Sequence, residues 1–265
     1  MVKNKNLNSM ISLMFKYALV REPGRNFCQG ITTSELGLPD YKKALQQHKA
    51  YCEALRKCGL KLVILKPEIR FPDGEFVEDT AVVTERCAVI TRLGAETRRG
   101  EEFKIKKVLQ KFKKIKIIKP PGTVDGGDIL RAGNHFYIGL SERTNKEGAN
   151  QLGFILAKYG YGFKTIPVKK VLHLKTGITY IGRNNMVTID KFAKNKEFSN
   201  FNIIKIDKSE SYSANCLLIN NFLLIPKGFP KTKEKLQALG YKILEIDMSE
   251  FQKMDGGLTC LSILF

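Results

Sequence analysis

The chain repeats itself, and that repetition narrows its fold more than any other feature. A short apolar run, a polar patch, a β-hairpin and a helix recur in five passes along 265 residues. The first pass reads KLVILKP, FVEDTAVVTERCAVITR and the helical EEFKIKKVLQKF. The second reads KIKIIKP, VDGGDILRAGNHFYIGLS and TNKEGANQLGFILAKYG. The third is FKTIPV and LHLKTGITYIGRNNMVTID with a weaker helical segment behind it. The fourth is NIIKID, SANCLLINNFLLIP and KTKEKLQALG. The fifth, YKILEID and DGGLTCLSILF, stops short of its last strand and helix.

The N-terminal part supplies what the fifth pass lacks, an orphan strand in FKYALVREP and an orphan helix in DYKKALQQHKAYCEALRKCG. Turn chemistry such as AGN and GRNN marks the hairpins, and apolar residues at three- and four-residue spacing mark the helices. A ring of five ββαβ units is therefore expected, closed by the N-terminal strand and helix. It forms one catalytic domain over residues 1–265, with residues 1–13 as an N-terminal extension. The first strand of each hairpin would start near the common axis, and the helices would lie outside.

The polar residues just before those strands would then converge: Glu78 and Asp79, Asp125 and Asp128, His173, Ser213 and Asn215, and Cys260. Taken singly, each has a plain structural explanation. Asp125 and Asp128 flank two glycines and suit a turn, His173 between apolar neighbours suits a hydrogen-bonded core histidine, and a cysteine on an apolar strand suits a small buried hydrophobe. Their recurrence at equivalent repeat positions argues for a site. His48, in a helix of ordinary surface pattern, and His135, in a hairpin turn, receive no role.

Charge bounds the partners. A net charge of +19 would suit a nucleic acid or an anionic membrane. The lysines are scattered, however, and alternate with apolar positions as on a solvated face. No zinc-finger or RNP-like motif accompanies them. The apolar run near the start is broken by Lys16 and lacks a cleavage site, so no signal peptide is expected. No apolar stretch has the length of a membrane span. The six cysteines form no CxxC pair and are expected as reduced thiols in a cytoplasmic protein.

A thiolate is a strong nucleophile, and an imidazolium beside it can supply the proton that a leaving amine needs. Two carboxylates next to that pair would raise the thiol pKa unless the ligand brings positive charge. A guanidinium does so, and its planar N–H fork matches carboxylates. One histidine, one cysteine and two acids in no spacing motif match no standard metal-ligand set, so neither metal nor organic cofactor is expected.

The segments ITTSELGLPDYKKALQQH, FPDGEFVEDTAVV, ITRLGAETRRGE, GTVDGGDIL, HFYIGLSERTNKEG, VLHLKTG, SYSANC and DGGLTCLSILF resemble the dimethylarginine dimethylaminohydrolases of the guanidine-modifying, or pentein, superfamily. The resemblance spans essentially the whole chain. It implies a five-fold pseudosymmetric α/β propeller with Cys260 as nucleophile, His173 as acid and base, and Asp79 and Asp125 as guanidinium-binding acids. It further implies Asp73 for the substrate ammonium group, Arg98 and Arg143 for its carboxylate, Glu78 as an orienting or substrate-touching neighbour, and Ile31 in a loop over the ligand. Some family members carry Glu at the position of Asp125, which leaves Asp128 as a rival second acid.

The implied reaction converts dimethylarginine or monomethylarginine to citrulline and an amine through a covalent thiouronium. The partner is that small molecule, a homodimer is compatible with it, and neither nucleic acid nor membrane is called for. Arginine deiminase, a citrulline- or agmatine-directed hydrolase and an amidinotransferase would share the Cys/His chemistry. A non-catalytic basic binding protein is the alternative of another class.

Overall fold

A computed structural model describes residues 14–265, and the N-terminal extension expected over residues 1–13 lies outside the described residues. Strands β1 (Tyr17–Arg21) and β2 (Lys61–Leu65) flank the helix Tyr41–Lys57. Then β3 (Ala81–Val83), β4 (Cys87–Ile90), the helix Glu102–Leu109 and β5 (Lys114–Ile117) form one complete unit. The next is β6 (Ile129–Ala132), β7 (His135–Leu140), the helix Lys146–Lys158 and β8 (Gly162–Pro167). In the following unit, β9 (Ile178–Tyr180) and β10 (Asn185–Thr188) lead to β11 (Asn202–Lys205) through a four-residue helix, Asp190–Ala193, and a 3-10 turn. The weak helical signal there matches this short helix. The last hairpin, β12 (Leu217–Ile219) and β13 (Phe222–Pro226), precedes the helix Pro230–Ala238 and β14 (Lys242–Ile246), and β15 (Ile263–Leu264) ends the chain.

These strands make five three-stranded sheets, and in four of them a hairpin's second strand pairs in parallel with the strand after the helix. The sheet that holds β1 is assembled from both ends of the described chain. β15 pairs antiparallel with β1, which pairs parallel with β2. The completion expected from the orphan strand and helix is what the structure contains.

Burial closes the ring. Counting from the sheet of β1, five apolar clusters each join two successive sheets. Leu19, Ile263, Ala88 and Ile90 join the first sheet to the second, and Val89, Ile129 and Ile138 join the second to the third. Leu130, Ile178 and Met186 join the third to the fourth, and Val187, Leu223 and Ile225 join the fourth to the fifth. Ala18, Tyr51, Leu224 and Ile246 join the fifth back to the first. Each large side chain so buried contributes about 1.5–3 kcal/mol, so every sheet depends on both neighbours. Asn220, in the left-handed region at φ 50°, adds a polar tie to this closure. Its carboxamide accepts from Phe15 N at 2.9 Å and donates to Cys58 O at 2.9 Å.

The helix Tyr41–Lys57 is capped by Asp40, whose carboxylate accepts from Lys43 N at 3.1 Å. It packs against β2, β14 and the short helix Ser249–Gln252, so its buried face is wide. His48 consequently lies buried beside Cys52, not on the surface as its sequence context suggested.

Candidate active site

The segments leading into the first strand of each hairpin touch one another: Val77–Thr80, Gly126–Asp128, Leu174–Gly177 and Lys208–Ala214. The turn before β15 joins them, because Cys260 O accepts from Glu78 N at 3.1 Å. Two glycines permit the approach. A Cβ at Gly126 would lie 2.0 Å from Glu78 O, and one at Gly127 would lie 2.8 Å from the His173 ring.

His173 opens the one-turn helix Leu174–Gly177 and is buried. Its Nδ1 stands 3.4 Å from Asp128 Oδ2 and its Nε2 stands 3.9 Å from Asp79 Oδ1. These are charge-pairing distances, too long for well-formed hydrogen bonds. Burial pushes the imidazolium pKa down, but Asp79, Asp128 and Asp125 together hold it up at about 9. Asp128 is fully engaged: Ser141 and Thr144 hydroxyls donate to Oδ2 at 2.6 and 2.7 Å, and Leu174 N donates to Oδ1 at 3.0 Å.

Asp79 accepts from Gly127 N at 2.9 Å and from Arg98 Nη1 at 2.8 Å. Burial pushes its pKa up, while His173 and Arg98 more than compensate and hold it at about 2. Arg98 is itself forked by Glu101 at 3.0 and 2.9 Å and donates to Phe76 O at 3.2 Å. Behind it, the buried Arg21 donates to Glu101 O and Gly74 O. Most of the N–H groups of Arg98 thus brace the segment carrying Asp73 and Asp79, while its side chain also borders a cavity shared with Asp73 and Arg143.

Asp125 Oδ1 accepts from Gly94 N at 2.8 Å, whereas Oδ2 is buried with no partner among the described residues. Burial, then Asp79, pushes its pKa up to about 7. Atoms of Asp79, Asp125 and His173 lie within 4.8 Å of one another, the group that could hold a metal ion. The Arg98 guanidinium on Asp79 places a fixed positive charge against that cluster, which suits it poorly to a metal ion and well to a ligand that supplies only one charge.

Cys260 Sγ accepts from Gly257 N at 3.3 Å. Burial, Glu78 and Asp79 push its pKa up to about 12, so the resting group is a thiol. Glu78 pairs with Lys175 and accepts from Thr259 Oγ1 at 2.7 Å. Cys260 and His173 border two cavities. One, of about 30 Å³, is lined by Ile31, Asp73, Asp79, Arg98 and Arg143. The other, of about 340 Å³, is lined by Glu78, Lys175, Thr176, Tyr212, Asn215 and Thr259. In the smaller one Asp73 accepts from Ile31 N at 3.0 Å, and burial pushes its pKa up. Among the described residues no carboxylate pairs with the Arg143 side chain.

An arginine deiminase family model matches residues 71–221. The N(G),N(G)-dimethylarginine dimethylaminohydrolase of Pseudomonas aeruginosa is 49% identical over 95% of this chain and 100% of that protein. The chain belongs to the dimethylarginine dimethylaminohydrolase family. Its namesake in Streptomyces coelicolor is 36% identical over 94% of this chain and 96% of that protein. A cysteine-to-serine mutant of the P. aeruginosa family member, solved with citrulline, superposes with a TM-score of 0.94 at 48% identity, covering 95% of this chain and 100% of that one. The N-terminal domain of an arginine dihydrolase from cyanobacteria shares the fold, with a TM-score of 0.84 at 18% identity over 94% of this chain and 97% of that one.

Several site residues of this family member escaped notice in the sequence, although each sits inside a quoted motif. Glu101 follows Arg98 by three positions in RRGE, and Lys175 follows His173 by two in HLKTG. Thr144 and Ser141, which hold Asp128, lie in LSERT. Only Arg21, a single arginine ending β1, carried no signal at all.

Proposed function

We propose that the chain hydrolyses Nω,Nω-dimethyl-L-arginine, and monomethylarginine, to L-citrulline and the corresponding amine. The observation that carries this reading is the unpartnered Oδ2 of buried Asp125, on a carboxylate grouped within 4.8 Å of Asp79 and His173, which in turn border a cavity with Cys260. A group placed so lowers its free energy when a hydrogen-bonding cation arrives. The names of the relatives point to the same substrate.

The guanidinium docks between Asp79 and Asp125, while Asp73 takes the ammonium group, Arg143 the carboxylate, and the Ile31 loop covers them. Arg98 acts chiefly by orienting Asp79, and Glu78 by holding Lys175 and Thr259. The docked cation offsets the negative surroundings of Cys260, whose thiol proton leaves to water. The thiolate forms a C–S bond to the central carbon. Imidazolium His173 gives its proton to the departing dimethylamine as the C–N bond breaks. Neutral His173 then takes a proton from water as the water oxygen bonds to the same carbon. The C–S bond breaks as the proton of the added hydroxyl passes to the departing sulfur, which releases neutral citrulline and restores the Cys260 thiol and the His173 imidazolium. The 340 Å³ cavity beside His173 offers room for methyl groups and for that water.

Turnover measured side by side on dimethylarginine, monomethylarginine, arginine and agmatine tests the reading. Dimethylarginine is expected to be best, with Cys260→Ser at least about a thousandfold slower. Arginine as the best substrate would make the chain a deiminase with the same mechanism. No turnover of any of the four would overturn the enzymatic reading.

A further inference from the structure

We propose that Asn215 is a positioning residue that sets the separation of Cys260 and His173, an inference that rests on the roles given to those two above. Asn215 bonds to neither reacting side chain. Its Nδ2 donates to Lys175 O at 3.1 Å, two residues beyond His173 in the same one-turn helix, and to Thr259 Oγ1 at 3.1 Å. Its Oδ1 accepts from Thr259 N at 3.1 Å, the residue before Cys260. One buried carboxamide therefore links the backbone that carries the acid to the backbone that carries the nucleophile.

The link is tight. A Cβ at Gly257 would lie 2.6 Å from the Asn215 amide carbon, so the amide packs flat on the peptide whose N–H donates to Cys260 Sγ. The amide orientation is dictated by its partners, since a backbone N–H can only donate and a backbone carbonyl only accept. Asparagine alone meets both at this reach. Aspartate would set a carboxylate against Lys175 O, and serine cannot span from Lys175 to Thr259.

Ser213 supplies the contrast. It lies two residues away at an equivalent inner position and is also buried, yet its hydroxyl bonds only to Glu210 O at 2.6 Å and Thr232 Oγ1 at 2.7 Å. It stabilises the segment without reaching either side of the reaction. Misplacement of reacting groups by about 1 Å costs on the order of a hundredfold in rate. The charged groups of the substrate, by contrast, are assigned to Asp73, Asp79, Asp125 and Arg143, which lie in the connecting segments of other units.

The test compares wild type, Asn215→Ala, Asn215→Asp and Ser213→Ala on dimethylarginine, with kcat, KM and thermal midpoint measured for each. Both Asn215 variants are expected to lose about a hundredfold in kcat with KM within about threefold of wild type. Ser213→Ala is expected to lower the midpoint and keep kcat within about twofold. If Asn215→Ala does not fold, the nearly isosteric Asn215→Asp carries the same expectation. The proposal is overturned if a folded Asn215 variant keeps kcat within threefold, if KM rises while kcat holds, or if Ser213→Ala loses as much kcat as the Asn215 variants. Wild type inactive on dimethylarginine would sink the underlying functional reading, whereas active wild type with active Asn215 variants would sink only this inference.

Discussion

Asp128 Oδ2 stands 3.4 Å from His173 Nδ1, so the acid that rivals Asp125 in the sequence faces the imidazole. Its remaining bonds are to Ser141, Thr144 and Leu174, which leaves little for a guanidinium. His173 is held at about 9 by Asp79, Asp128 and Asp125 against burial. Because the folded pKa is raised, the imidazolium is present below that value and lost as pH rises through it. Asp128→Asn should shift the high-pH limb of kcat downward by about one unit, roughly 1.4 kcal/mol of lost interaction. A pH–rate profile checks this, and an unmoved limb would show that Asp128 does not set the acid.

Asp125 has the opposite sign. Its free-enzyme pKa is pushed up to about 7 by burial and Asp79, and only the ionised form welcomes a cation. Below pH 7 a proton competes with substrate, so kcat/KM should fall about tenfold per pH unit there. In the Asp125→Asn variant that limb should disappear and kcat/KM should be uniformly low. Retention of the low-pH limb in this variant would assign it to another group.

Gly127 is tied to two catalytic contacts at once. Its N–H donates to Asp79 at 2.9 Å, and a Cβ would meet the His173 ring at 2.8 Å. Gly127→Ala is expected to cost about 1–3 kcal/mol of stability through overpacking and about a hundredfold in kcat through displacement of the ring. Denaturant melts and steady-state rates separate the two effects. Full activity in a folded variant would mean that the ring tolerates the shift.

Arg98 and Arg143 should part company when truncated. Arg98 is buried between Asp79 and Glu101, and removing it strands Glu101, a loss of about 3–5 kcal/mol for a broken buried pair. Arg143 makes no such pair among the described residues. Arg143→Ala should raise KM about tenfold with kcat and stability nearly unchanged, as expected for loss of uniform binding. Equal destabilisation of the two variants would contradict the distinction.

The ring and its inner residues were legible because position in a repeat is a property of the sequence. Which oxygen of which acid stays unpartnered is not. Asp125 and Asp128 flank the same two glycines, yet the hydroxyls of Ser141 and Thr144 claim one carboxylate and leave an oxygen of the other open. These partners lie in a different segment, and only the fold brings them together. The bracing of Arg98 by Glu101 was hidden for the same reason, since spacing alone does not show that burial closes over both side chains. His48 looked solvent-facing because helical spacing assumes one buried stripe, whereas its helix packs against elements of two sheets and the short helix Ser249–Gln252.

The thiol of Cys260 is pushed up to about 12 by burial, Glu78 and Asp79, and one of the two acids that depress its reactivity, Asp79, would also hold a guanidinium. The reactivity of the thiol should therefore depend on the charge of what approaches it. A cationic haloacetamidine brings its own compensating charge into the site, whereas a haloacetamide of nearly the same shape does not. At neutral pH the amidine should alkylate Cys260 at least about a hundredfold faster than the amide, because a stabilised thiolate is the attacking species. The preference should shrink in Asp79→Asn, where the cation loses a partner and the thiol loses a repelling charge. Rates followed by mass spectrometry of the Cys260 peptide give the ratio. Equal rates for the two reagents would mean that the thiol is already ionised without a cation, and the substrate-linked activation argued from the acidic surroundings of Cys260 would fall.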